Sequence, residues 1–137
     1  MSENNGVPLF QSLRTDPKKS REGVWVEHPD SGDAFLLRRE WCPEHLMAYA
    51  QAKDEHALQH GDDDGPIDED AAREIDAIAT ATGLVVDWKI KNDPERTYDS
   101  AAMAAALADP ELDELRIWIK IQSKSRQVFR PEALSGN

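Results

Sequence analysis

The sequence predicts a mostly helical α+β fold, an N-terminal β-hairpin packed on about four helices. Three observations carry this. Strand-forming residues flank a turn-forming pentapeptide between Val24 and Leu37; two segments open on proline and continue with helically spaced apolar residues; and an alanine-rich run begins at Ala101. The length of 137 residues suits one body over 22–130, with a flexible arm over 1–21 and a flexible tail over 131–137.

The arm is polar apart from an apolar knot of Val7, Leu9, Phe10 and Leu13, and Pro8 and Pro17 interrupt it. From Gly23 the pattern changes. Val24, Trp25 and Val26 are strand formers, Pro29-Asp30-Ser31-Gly32-Asp33 is turn chemistry, and Ala34 to Arg38 is a second apolar run, so strands are expected near 23–28 and 34–40. Two strands alone are marginal in water, which requires helices over one face. Pro43 then starts a helix that Gly61 ends, with Leu46, Tyr49, Ala50, Ala57 and Leu58 on its apolar face.

The segment 61–70, GDDDGPIDED, holds six acids and no base, and reads as a solvated loop. A second helix begins at Asp68 or Glu69, with Ile75, Ile78, Ala79 and Thr82 at helical spacing. The run LVVDWKI that follows Gly83 suits either a helix or a strand; continuation of the helix to about Trp88 is the favoured reading. Residues 91–98 form a loop, and Asp99 or Ser100 caps the alanine-rich helix. Asp109-Pro110 opens a last helix to about Phe129, whose core face is built from Leu112, Leu115, Ile117, Ile119, Ile121 and Val128.

Composition excludes several function classes. With 27 acidic and 16 basic residues the net charge is −11, which argues against a dedicated nucleic-acid binder. The lone Cys42 has no disulfide partner within the chain and suits a reducing cytosol. No apolar run approaches the roughly 20 residues of a membrane span, and the first residues lack the charged and apolar regions of a signal peptide.

Motifs for chemistry are weak. Cys42, His45, His56 and His60 loosely echo a zinc-finger spacing, but on one helix Cys42 and His60 would stand some 27 Å apart, too far for one tetrahedral site. An EF-hand loop centred on Gly65 would need an acid at His60 and a glutamate at Ala71. No nucleophile elbow, P-loop or dinucleotide fingerprint occurs, and no catalytic residue, metal or cofactor is expected.

The four tryptophans, Trp25, Trp41, Trp88 and Trp118, fall in four different elements and read as a shared core, the alternative being that one or two are exposed anchors. Ile117-Trp118-Ile119 is too apolar all round for a helix with one buried face, which points to a second apolar surface for a protein partner or for self-association. Residues 116–130 carry Arg116, Lys120, Lys124, Arg126 and Arg130 with no acid.

The order of segments from Gly23 onward resembles the tail assembly chaperones of long-tailed, siphovirus-type bacteriophages. The resemblance rests on GVWVE and FLLRR in the hairpin and PEHLMAY in the helix, then on GLVVDWKI, TYDS, the alanine-rich helix and DPELDEL after a variable acidic loop. The stretch from Leu84 to Leu112 carries most of it, and the 1–21 arm has no counterpart. The resemblance implies a non-catalytic protein of the host cytoplasm that binds the tape-measure protein, keeps it soluble, helps to recruit tail tube subunits and is absent from the mature virion. Neither nucleic acid nor membrane is an expected partner. Client contacts are expected on Trp88, Ile117, Trp118, Ile121 and Phe129. The alternative is an acidic inhibitor or nucleic-acid mimic acting on a host DNA-binding protein.

Overall fold

The computed structural model describes residues 9–60 and 68–131; the start of the arm, the acidic stretch 61–67 and the tail from 132 lie outside the described residues. Among the described residues the chain forms five α-helices and one three-stranded antiparallel sheet, an α+β fold that is mostly helical.

Folding begins inside the arm, contrary to the flexible segment expected there. Helix α1 (Pro17–Glu22) opens on a proline, and the Asp16 carboxylate accepts from the Lys18 backbone N–H at 2.8 Å. The Asp16 N–H donates to the Phe129 carbonyl at 2.7 Å, and the Arg39 N–H donates to the Ser20 carbonyl at 2.9 Å. Long-range backbone bonds of this kind explain what a polar sequence does not advertise.

Strands β1 (Val24–Glu27) and β2 (Ala34–Leu37) form the expected hairpin, pairing Val26 with Phe35 and Val24 with Leu37. Helix α2 (Pro43–His60) also has the expected bounds, but its buried face is different. His45 and Ala52 are buried and Tyr49 is half-buried, whereas Ala50, Ala57, Leu46 and Leu58 are exposed. The reason is close approach. The α2 backbone packs directly on Gly83, and short side chains such as Ala48 and Ala52 permit that contact where leucines would hold the elements apart.

Helix α3 (Glu69–Ala79) starts where Asp68 accepts from the Ala71 N–H at 2.8 Å, and it stops well before Trp88. A wider π-type turn over Thr80–Leu84 ends it, and Val85–Lys89 forms strand β3, which corrects the predicted continuous helix. The β-branched and aromatic content of VVDWK favours a strand, and pairing Trp88 with Phe35 and Asp87 with Leu36 covers the free edge of β2. Sheet order is β1-β2-β3, with a bulge at Leu36/Leu37.

Asp99 caps helix α4 (Ser100–Ala108), whose Met103 and Leu107 point one turn apart into the core. A 3-10 turn at Pro110–Leu112 leads into helix α5 (Asp113–Lys124), which ends five residues before Phe129. The predicted single helix to Phe129 is thus shortened: Ser125 adopts an extended conformation, and its hydroxyl accepts from the Val128 N–H at 3.4 Å. Leu112, Ile117 and Ile121, assigned to the core, are exposed, while Ile119 is fully buried.

The core lies between the inner sheet face and the helices, built on Phe35, Leu37, Val85, Trp88, Leu107 and Ile119. A fully buried Leu37 or Leu107 contributes about 2 kcal/mol. At its centre sits the 80–84 turn, which contacts α2, α3, α4, α5 and β3. A wider turn frees backbone carbonyls, and the surroundings satisfy them. Tyr98 Oη donates to the Ala81 carbonyl at 2.5 Å, Arg38 Nη1 to the Gly83 carbonyl at 3.3 Å, and the Arg38 N–H to the Leu84 carbonyl at 2.8 Å.

The tryptophans do not share one core. Trp88 is buried edge-on to Tyr98, and Trp118 is half-buried against Phe35 and His28. Trp25 and Trp41 are exposed, Trp25 on the outer sheet face under the Lys89 ammonium, 4.3 Å from its ring centroid.

Candidate functional site

A cleft of about 500 Å³ opens where α2, α3 and α5 meet. One wall is aromatic. Trp41 holds φ +66, a left-handed conformation rare for a bulky side chain, and its N–H donates to His45 Nδ1 at 3.0 Å. That geometry lays the indole over His45 and edge-on to Tyr49, with centroid distances of 4.5 and 5.7 Å. Left-handed backbone costs about 1–2 kcal/mol for a residue with a side chain, so the surroundings must impose it.

The other wall is ionic. Asp76 of α3 accepts from Arg116 Nη1 at 2.5 Å and from Lys120 Nζ at 2.9 Å, both on α5. Asp113 accepts from Arg73 at 3.1 Å and Arg116 at 3.3 Å, and the Arg73 guanidinium first, Arg116 second, hold its carboxyl below the ordinary value. Spacings of three and four residues on α5 align Asp113, Arg116 and Lys120 along the α3 side. Asp76 is about 15 % exposed, so it lies between the surface pairs worth little and the buried pairs whose breakage is severe. Asp76→Asn should therefore cost about 2 kcal/mol, read as a lowered urea midpoint.

Helical geometry turns the residues that follow Arg116 and Lys120 away from the ionic wall. Ile117 and Ile121 stand on the outer stripe of α5 between the exposed Glu114 and Lys124, and they are 49 % and 56 % exposed. They form a solvent-facing apolar stripe of their own, outside the lining of the cleft. Of the other expected contacts, Trp88 and Phe129 are 9 % and 0 % exposed and present no surface to a partner, and Trp118 offers only part of one face. The sequence reading put Tyr49 on the apolar face of α2 and counted Trp41 among the tryptophans of a core or an exposed anchor, without assigning either to a partner surface. It placed Leu46 on the apolar face and did not use Met47; the two are neighbours that one helix cannot bury together, and the structure leaves both exposed.

Burial pushes the Cys42 thiol up, the opposite of what a nucleophilic thiolate needs. Cys42 and His45 sit at the start of α2, whereas His56 and His60 stack on each other at its end with centroids 4.1 Å apart. Among the described residues no three His, Cys, Asp or Glu side chains gather as a metal set, and no helix is long and apolar enough to cross a membrane. No family model matches the sequence, and neither the curated proteins nor the solved structures contain a match to it.

Proposed function

We propose that the chain is a non-catalytic tail assembly chaperone of a long-tailed bacteriophage, acting in the host cytoplasm to hold the tape-measure protein soluble and to help recruit tail tube subunits. One observation supports this most: Ile117 and Ile121 are exposed one turn apart on α5, on a helix that is buried along its other face at Ile119. An amphipathic client helix recognises such a surface through apolar anchors three and four residues apart. The surrounding charge keeps the surface reversible, since Glu114, Lys124 and the paired cations of the cleft stay hydrated when the client leaves. The acidic-mimic reading gains less, because Asp76 and Asp113 are bound to Arg73, Arg116 and Lys120 rather than displayed.

The test is co-expression with the tape-measure protein encoded beside this chain. Soluble tape-measure protein should rise several-fold and co-purify with the chaperone. The double variant Ile117→Ser with Ile121→Ser should fold as the parent does and lose most of that effect, since burying the exposed half of two isoleucines is worth about 1.5–3 kcal/mol. Equal solubilisation by the double variant would remove α5 from the client surface, and no solubilisation by the parent would end the chaperone reading.

A further inference from the structure

Three arginines meet where the two ends of the described chain touch. Arg14 follows the 3-10 turn Gln11–Leu13, and Arg126 and Arg130 lie in the segment after α5. With Ser12 and Gln127 they line a pocket of about 110 Å³. Its walls are tied together. Phe129, fully buried, anchors the segment between Arg126 and Arg130, and its carbonyl accepts from the Asp16 N–H at 2.7 Å. Lys19 Nζ donates to the Arg130 carbonyl at 2.9 Å.

What sets these three apart is that they gather at one pocket. Arg21, Arg73 and Arg116 each pair with a carboxylate, whereas among the described residues Arg14, Arg126 and Arg130 do not. Asp16, the acid nearest in sequence to Arg14, is turned to the N-terminus of α1, where it accepts from Lys18 and Lys19. Arg14 Nε donates to the Leu9 carbonyl at 3.1 Å, which fixes the plane of the guanidinium and leaves its Nη groups for another acceptor. Three like charges at one pocket repel one another locally, and an oxyanion held among them relieves that repulsion.

We infer that this pocket binds a phosphate-class oxyanion, as the free ion or as the phosphoryl group of an ester. Guanidinium forks match the oxygen spacing of phosphate, and the Ser12 hydroxyl and the Gln127 amide are further donors at the same pocket. The volume suits one tetrahedral group and is too small for a nucleotide. Because the whole-chain field repels anions, binding depends on these local contacts and weakens with salt. The site stands apart from the cleft, and the inference does not depend on the chaperone reading.

The experiment is a titration of the full-length ¹⁵N-labelled protein with sodium phosphate at pH 7, against sodium chloride at equal ionic strength. Phosphate should give saturable amide shifts at Ser12, Arg14, Gln127 and Arg130 that chloride does not reproduce. The variants Arg126→Gln and Arg130→Gln, both at exposed positions, should each weaken binding tenfold or more with the rest of the spectrum unchanged. A parallel titration with phosphoserine separates the sources: tighter binding than inorganic phosphate identifies the ester, weaker binding the free ion. Matching shifts from chloride, or parental affinity in both variants, would overturn the site.

Discussion

Gly83→Ala should destabilise the protein by about 3 kcal/mol, the upper part of the range for overpacking a close contact. A Cβ on Gly83 would stand 2.6 Å from His45 Cα, 3.1 Å from the Glu44 carbonyl oxygen and 3.1 Å from Ala48 Cβ. Ordinary carbon contacts need about 3.5–4.0 Å. Two of the three obstructing atoms belong to the backbone of α2, so no rotamer change relieves the clash, and the whole helix must move by about 1 Å against a packed core. That movement carries Trp41 and Tyr49 away from the ionic wall and opens the cleft. The urea midpoint should fall with an unchanged denaturant slope, and the melting temperature should drop by about 10 °C. A midpoint within experimental error of the parent would show that α2 does not pack on the 80–84 turn as described.

The same contact explains why part of the fold was readable and part was not. Capping and turn residues report on backbone groups only a few positions away, so Asp68, Asp99 and Asp109 mark helix starts correctly, and Pro29 to Asp33 marks the hairpin loop. The run LVVDWKI has no such local marker. It becomes a strand because β2 has a free edge to offer and because Tyr98 and Arg38, 14 residues after and 46 before Leu84, satisfy the carbonyls of the turn that breaks the helix. TYDS, one of the pieces that carries the family resemblance, thus contains a residue with a structural task at the centre of the fold.

The candidate site divides in the same way. An excess of apolar residues around Trp118 signalled that α5 has two apolar surfaces, and the structure shows Ile119 on the inner one and Ile117 and Ile121 on the outer one. Which isoleucine faces which way depends on the helix phase, and that phase is set by Asp76 gripping Arg116 and Lys120 from another helix. Trp88 and Phe129 looked like anchors for the opposite reason. Aromatic residues mark both cores and interfaces, and only tertiary packing separates the two.

Acid should loosen the cleft before it unfolds the rest of the chain, through His45. This side chain is 1 % exposed; its Nδ1 accepts the Trp41 N–H, and its Nε2 has no hydrogen-bond partner. Burial first, and the nearby Lys120 ammonium second, push its pKa down from 6.5 to about 4, against a smaller opposing pull from Asp76. The unfolded chain therefore takes up this proton at higher pH than the folded chain does. Stability from His45 is complete above about pH 6.5, declines as pH falls from 6.5 to about 4, and is lost below that, a total of about 3 kcal/mol. Glu44 acts lower on the scale. Its carboxylate, held by Arg21 at 2.8 Å, has its pKa depressed from 4.5 to about 2, so its contribution disappears only below about pH 4.5. The two windows are separable by the urea midpoint at pH 7.0 and 5.0. The parent should lose stability between these values, whereas His45→Gln, which keeps an acceptor for the Trp41 N–H but cannot titrate, should start lower and change much less. An equal decline in both proteins would place the titrating group elsewhere. Protonated His45 can no longer accept from Trp41, so the left-handed turn that aims the indole loses its restraint, and the Trp41 fluorescence environment should change over the same pH interval.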